Sequence, residues 1–263
     1  MSIFFESGLD SADFSRALIL HANNWLEGGT VTASTTDSDY FEDGPTTSLT
    51  YDRWKPTALS ATWEYDHGSA AACDVCCIGA HTMGTNGNSL TVEYHNGTSW
   101  VSIISGEAIA DDSAIMVVFA SKTRQRWRIS VSGGTVPEVG VVKFGTALEM
   151  ARPIYGGHTP LALARQTTMR SNKSETGEYL GKTKQRTMLS TEFSWTNLPA
   201  AWVRTNIPPF QKAVENGLFF LAWRPSSFEE VGLCDAEATP IPTHSGPRDL
   251  MSLSLSVTGY SHD

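Results

Sequence analysis

From Thr57 to Leu148 the chain is dominated by short runs in which large apolar and polar residues alternate. A period of two puts every second side chain on one face of a strand, so these runs read as strands with one buried face. They include Trp63-Glu64-Tyr65-Asp66, Leu90-Thr91-Val92-Glu93-Tyr94, Arg126-Trp127-Arg128-Ile129-Ser130-Val131 and Val139-Gly140-Val141-Val142-Lys143-Phe144-Gly145. Val75 to Ile78 adds an apolar run after a Gly/Ser/Ala-rich step. Asn96-Gly97 is a tight-hairpin signal, because both residues accept positive φ. Together these runs predict a β-sandwich, a module that binds more often than it converts.

At 263 residues the chain has room for one large domain or two modest ones. A composition of 40% hydrophobic and 18% charged residues is ordinary for a globular protein. No apolar run reaches the roughly 20 residues that span a bilayer, so no membrane insertion is expected. The first residues lack a basic start and a long apolar stretch, and a secretory leader is not expected. Three of the four cysteines, Cys73, Cys76 and Cys77, fall within five residues, with Cys234 far away. A disulfide framework would space them more widely, so reduced thiols are expected.

The charge is uneven. Residues 1–150 hold 8 basic and 18 acidic side chains (8 − 18 = −10), and residues 151–263 hold 11 and 10 (11 − 10 = +1). A nucleic-acid binder is normally basic overall, so no nucleic-acid recognition is expected. Arg165, Arg170, Lys173, Lys182, Lys184 and Arg186 lie together in the second part. Such a run either faces an acidic partner or simply solvates a hairpin.

A boundary is expected near Glu149 to Arg152, where the sandwich pattern ends and Pro153 and Gly156-Gly157 follow. Beyond it, Leu161 to Met169 and Glu178 to Ser190 read as two long polar strands joined by Asn172 to Gly177. Leu198 to Asn216 carries Trp202, Val203, Ile207, Phe210 and Val214 at helical spacing, with Asn197 as its N-cap. Pro208-Pro209 is expected to interrupt that helix. Leu218 to Trp223, Val231 to Glu237 and Leu250 to Tyr260 read as further strands. The fold class is therefore mainly β: a jelly-roll sandwich over 1–150 and an α+β domain over 151–263 with one principal helix.

Chemistry is sparse. Cys73-x-x-Cys76 opens like a zinc site, but a second ligand pair is missing, with only His81 and His95 near. Small buried cysteines in a sandwich core are the simpler reading. None of the hydrolase, metalloprotease, P-loop or dinucleotide fingerprints is present, and no two carboxylates stand out as a glycosidase pair. No enzyme activity, cofactor or metal is expected. Trp25 and Trp54 flank an acidic segment containing Asp37, Asp39, Glu42, Asp43 and Asp52. An aromatic beside polar acids is a sugar-stacking arrangement, with Trp25, Trp54, Asp37, Asp39 and Asp52 as candidates. Clustered carboxylates are also what calcium takes. The plain alternative makes the tryptophans packing anchors and the acids solvated.

Trp54-Lys55-Pro56, Trp63-Glu64-Tyr65-Asp66, the Val92-to-Val101 hairpin, Arg126-to-Val131 and the closing Val139-to-Gly145 run resemble the galactose-binding-like (discoidin, F5/8 type C) jelly-roll family over roughly residues 20–147. The cysteine bridge frequent in that family is absent. The second part, with Gly177-to-Gln185 in a long hairpin, then strand, helix and strand, resembles the tail-tube-like domain of tailed-bacteriophage tail-tip proteins. That resemblance implies a distal-tail or baseplate component made in the bacterial cytoplasm and resident in the virion tail. It also implies a homo-oligomeric ring, a hexamer, contacting other tail proteins through Arg165, Arg170, Lys173, Lys182, Lys184 and Arg186, with the sandwich projecting outward. A host-recognition module that binds a surface glycan is the alternative, and a glycoside hydrolase accessory a more distant one.

Overall fold

The computed structural model describes residues 2–154, 156–245 and 248–260. The chain runs β1 (Ser2–Phe5), β2 (Leu18–Leu20), β3 (Thr30–Ala33), β4 (Ala61–His81), β5 (Ser89–His95), β6 (Trp100–Ala108), β7 (Ile115–Ser132), β8 (Val139–Gly145) and β9 (Leu148–Glu149). It continues as β10 (Arg165–Lys173), β11 (Tyr179–Pro199), α1 (Ala200–Val214), β12 (Phe219–Ala222), β13 (Val231–Ala236), β14 (Thr243–His244) and β15 (Leu250–Gly259). The protein is mainly β, with one α-helix among the described residues.

Two long strands make the sandwich. The runs at Trp63 and Val75, separated in sequence by Gly68 to Ala72, are one strand, β4, with register breaks at Asp66/Ala71 and Cys73/Val75. Its partner β7 runs antiparallel along the whole length. The first half of β4 and the second half of β7 carry β3, β5 and β6; the other halves carry β8 and a parallel β1. The two halves close over one core, where Trp63, Trp127, Ile129 and Val92 meet Ile78, Ile115, Val142 and Phe144. Bulges bend strands in this way because an extra residue on one strand breaks the ladder and increases the twist. The hairpin at Asn96-Gly97 forms, with Asn96 N–H donating to Ser99 O and only Gly97 at positive φ.

The second sheet is ordered β10-β11-β15-β13-β12-β2-β9, with β14 on β15. Leu18–Leu20 and Leu148–Glu149 therefore hydrogen-bond in the second sheet and with each other. Sequence patterning had grouped both with the sandwich. One face of this sheet packs on the sandwich through Leu20, Phe220, Ala222 and Leu233 against Val75, Cys77, Met116 and Val141. The other face holds α1 through Phe193, Trp195, Leu221 and Leu255 against Val203, Ile207 and Phe210. The result is four layers, three of strands and one of helix.

The helix departs from expectation in two ways. Asn197 is not its N-cap: it sits at φ +58° in a strand irregularity, and Pro199 precedes the first turn. Pro208 and Pro209 lie inside an unbroken helix. Both occupy the exposed face, as do Arg204 and Thr205, whose carbonyls lose their usual donors. Water can satisfy those carbonyls, so the usual cost of interior proline is softened.

Candidate functional site

The outer edge of β8 borders a recess of the sandwich. An uncovered strand edge is open to further pairing, and here two tryptophans close it. Trp54 exchanges two backbone hydrogen bonds of 2.9 Å with Val139 at one end of β8, and Trp25 forms a bridge with Gly145 at the other. The indole N–H groups are also used: Trp54 Nε1 donates to Thr35 O at 3.0 Å and Trp25 Nε1 to Glu27 Oε1 at 2.5 Å. Trp54 is fully buried and Trp25 is 8% exposed. Neither ring is free to stack on a ligand, so the sugar platform expected from them is not formed; they strap the edge.

Between the straps lies a recess of about 320 Å³ lined by Glu27, Gly28, Gly29, Thr46, Tyr65 and Lys143, among others. Gly29 lets the loop lie flat on β4, since a Cβ there would come within 2.5 Å of Tyr65 Cζ and Asp66 O. Its N–H donates to the Tyr65 hydroxyl at 3.2 Å. Lys143 is 6% exposed, its ammonium donating to Thr46 O and standing 4.4 Å from the centre of the Trp25 ring. Burial pulls its pKa down to about 8, against a smaller upward pull from the Glu27 carboxylate. Burial likewise raises the Tyr65 phenol. The recess thus offers a cation, a carboxylate and a phenol beside an apolar wall.

The acidic candidates do not join it. Asp37 is half-buried and its carboxylate closes a turn by accepting the Asp39 N–H at 3.1 Å. Asp39 is exposed and Asp52 half-buried. Among the described residues no three His, Cys, Asp or Glu side chains converge as a metal site. The cysteines are separated too: Cys73 and Cys76 face the sandwich core, Cys77 the inter-sheet core and Cys234 the helix side. Burial raises all four thiols, which keeps them protonated and inert. Sequence reasoning missed Glu27, Tyr65 and Lys143. The available signal was a lysine inside the otherwise apolar Val139–Gly145 run.

The six basic residues of the second part are brought together. Arg165, Arg170 and Lys173 lie on β10 and Lys182, Lys184 and Arg186 on β11, all exposed. Among the described residues β10 pairs with β11 alone, and β11 joins β15 from Leu189 onward. The preceding part is a two-stranded ribbon with both faces in solvent, reaching roughly 30 Å at the usual strand rise. Met169, Tyr179 and Leu180 add exposed apolar surface to it. A lone ribbon of this kind is marginal in water without something to pack on.

No protein-family model matches the chain, and no curated protein matches it. Several solved structures resemble its sandwich half. A carbohydrate-binding module of the CBM32 family, from AlyQ in complex with 4,5-unsaturated mannuronic acid, aligns at 18% identity and TM-score 0.40 over 46% of this chain and 96% of that one. A pectin-binding module aligns at 15% and 0.39 over 44% and 88%. CBM32-1 from a family 31 glycoside hydrolase of Clostridium perfringens aligns at 9% and 0.41 over 46% and 96%. Each of these modules aligns with somewhat under half of this chain, and the likeness is one of fold alone.

Proposed function

We propose that this chain is a structural assembly protein that docks onto copies of itself through the β10–β11 ribbon and displays the galactose-binding-like sandwich. The observation that carries this reading is the ribbon: a long, basic hairpin, solvent-exposed on both faces, with Met169, Tyr179 and Leu180 exposed on it. Its free ladder edge suits strand addition to a neighbour's sheet, and the acidic first part supplies the opposite charge. The resemblance of the second part to tail-tube-like domains narrows the reading to a tail-tip or baseplate ring of a tailed phage. Light scattering across concentration and salt tests it. A discrete ring that dissociates in high salt, and that Lys182→Glu with Lys184→Glu prevents while leaving the fold intact, is the expected result. Rings unchanged in that double variant remove the role of the ribbon.

A second reading is glycan binding by the sandwich, with the β8 recess in place of the tryptophans. Its volume stands at the small end of the roughly 300–1,000 Å³ of small-molecule sites, and Glu27, Tyr65 and Lys143 supply an acceptor and donors for hydroxyls. The similar modules named above are carbohydrate-binding, but this reading rests on the recess. Titration with galactose by NMR, with shifts confined to the recess and lost in Glu27→Gln, supports it. Shifts elsewhere, or none, count against it.

A further inference from the structure

We propose that Lys143 is a reactive amine site whose side-chain nitrogen, held in the β8 recess without a carboxylate partner, condenses with short hydroxyaldehydes. Three observations converge on it. The lysine is 94% buried (100 − 6% exposed) yet lines a recess large enough for a small organic molecule. Among the described residues, no carboxylate forms an ion pair with its nitrogen; the Thr46 carbonyl and the Trp25 ring hold it. Glu27 and Tyr65 stand in the same recess, as a hydrogen-bond acceptor and a phenol for the hydroxyl groups of such a ligand.

The groups around the nitrogen set its protonation. Burial disfavours the ammonium, while the Glu27 carboxylate, the Thr46 carbonyl and the Trp25 face favour it. Tyr65 is held as the neutral phenol and Cys77, opposite Lys143 on β4, as the neutral thiol. Burial prevails, leaving the pKa at about 8, so a sizeable fraction of the amine is neutral at mildly alkaline pH. Desolvation is a recognised way to activate a lysine nucleophile.

The step is a simple condensation. The nitrogen lone pair attacks the carbonyl carbon, a C–N bond forms, and the carbonyl oxygen takes a proton to give a carbinolamine. The C–O bond then breaks, water leaves and a C=N imine remains. Nothing is oxidised or reduced, and water is the only by-product. Glu27 and Tyr65, which line the same recess, are the groups assigned to relay the proton that leaves nitrogen and the one that departs with oxygen. This inference does not depend on the recess holding a glycan.

Incubating the intact protein with glycolaldehyde and cyanoborohydride traps each imine as a stable adduct that peptide mass spectrometry assigns to individual lysines. Near neutral pH, Lys143 should be modified roughly ten-fold faster than the exposed Lys173 and Lys212, because desolvation activates a lysine nucleophile. Its rate should level off above pH 8. Lys143→Arg should abolish the fast adduct and leave the others unchanged. A Lys143 rate in the wild-type protein equal to or below that of Lys173 overturns the proposal, and so does a Lys143 rate that keeps climbing well above pH 8. Because the wild-type protein gives both results, the inference stays testable even if Lys143→Arg fails to fold.

Discussion

Ile19 of β2 and Leu148 of β9 are antiparallel partners, and every strand of the sandwich except β1 lies between them in the chain. The chain leaves the second sheet and returns to it at one place, so the sandwich is inserted into that sheet. The junction is packed: Leu20, Phe220 and Leu233 share one core with Val75, Cys77 and Val141. Gly79 of β4 sits at this contact, where a Cβ would stand 2.9 Å from Leu233 Cδ2 and 3.1 Å from Phe220 Cε1. Gly79→Ala should therefore lower stability by about 1–3 kcal/mol through overpacking. Urea unfolding followed by tryptophan fluorescence measures this, and an unchanged midpoint would mean that the seam yields without cost.

Trp54 is a fold residue. It is fully buried, bonded to Val139 through its backbone and to Thr35 through its indole. Trp54→Ala should cost about 3–5 kcal/mol, the usual range for emptying a buried aromatic site. Tyr65→Phe, which removes one hydroxyl at the recess and keeps the ring, should cost far less. Thermal melts of the two variants side by side check the contrast. A Trp54→Ala protein as stable as wild type would put the ring outside the core.

How far the sequence spoke follows from what periodicity can encode. Alternation identified β5, β15, the first half of β4 and the second half of β7, because those segments bury one face; an apolar run identified β8, which is buried throughout, and helical spacing identified α1. It could not show that the runs at Trp63 and Val75 are one bent strand, since a bulge shifts the alternation. It could not assign Leu18–Leu20 to the second sheet, because a three-residue apolar strand carries no address for its partner. Tryptophans beside acids read equally as a sugar platform or as edge straps, and only β8, far away in sequence, decides between them. The recess was illegible for the same reason: Glu27, Tyr65 and Lys143 come from three elements.

The ribbon should be the first site cut in the free monomer. Its strands are exposed on both faces, and regions with few buried contacts open at low free-energy cost. Limited trypsin digestion should cleave at Lys173 or Lys182 before Lys122 or Arg128, which lie in the long central strand β7 and form ion pairs with Glu6 and Glu93. Protection of the ribbon at high protein concentration, with cleavage elsewhere unchanged, would tie it to the oligomer. Equal cleavage at all concentrations would separate the ribbon from assembly.

Acid should weaken the junction through His21. This residue follows β2, where the chain turns toward the sandwich, and is 3% exposed against Phe210 of α1, with ring centres 5.3 Å apart. Its Nδ1 accepts the Asn23 N–H at 3.2 Å, an arrangement that requires the neutral ring. Burial lowers its pKa from 6.5 to about 4. Below 6.5 the unfolded chain takes up a proton that the folded chain refuses, so the unfolded state is favoured. The stability this histidine contributes is complete above pH 6.5 and is lost as the pH falls toward 4, by about 3 kcal/mol at most. His21→Gln keeps an acceptor for Asn23 and cannot titrate. Urea midpoints at pH 7 and pH 4.5 should fall further in wild type than in His21→Gln, and an equal fall in both would assign the acid sensitivity to the carboxylates instead.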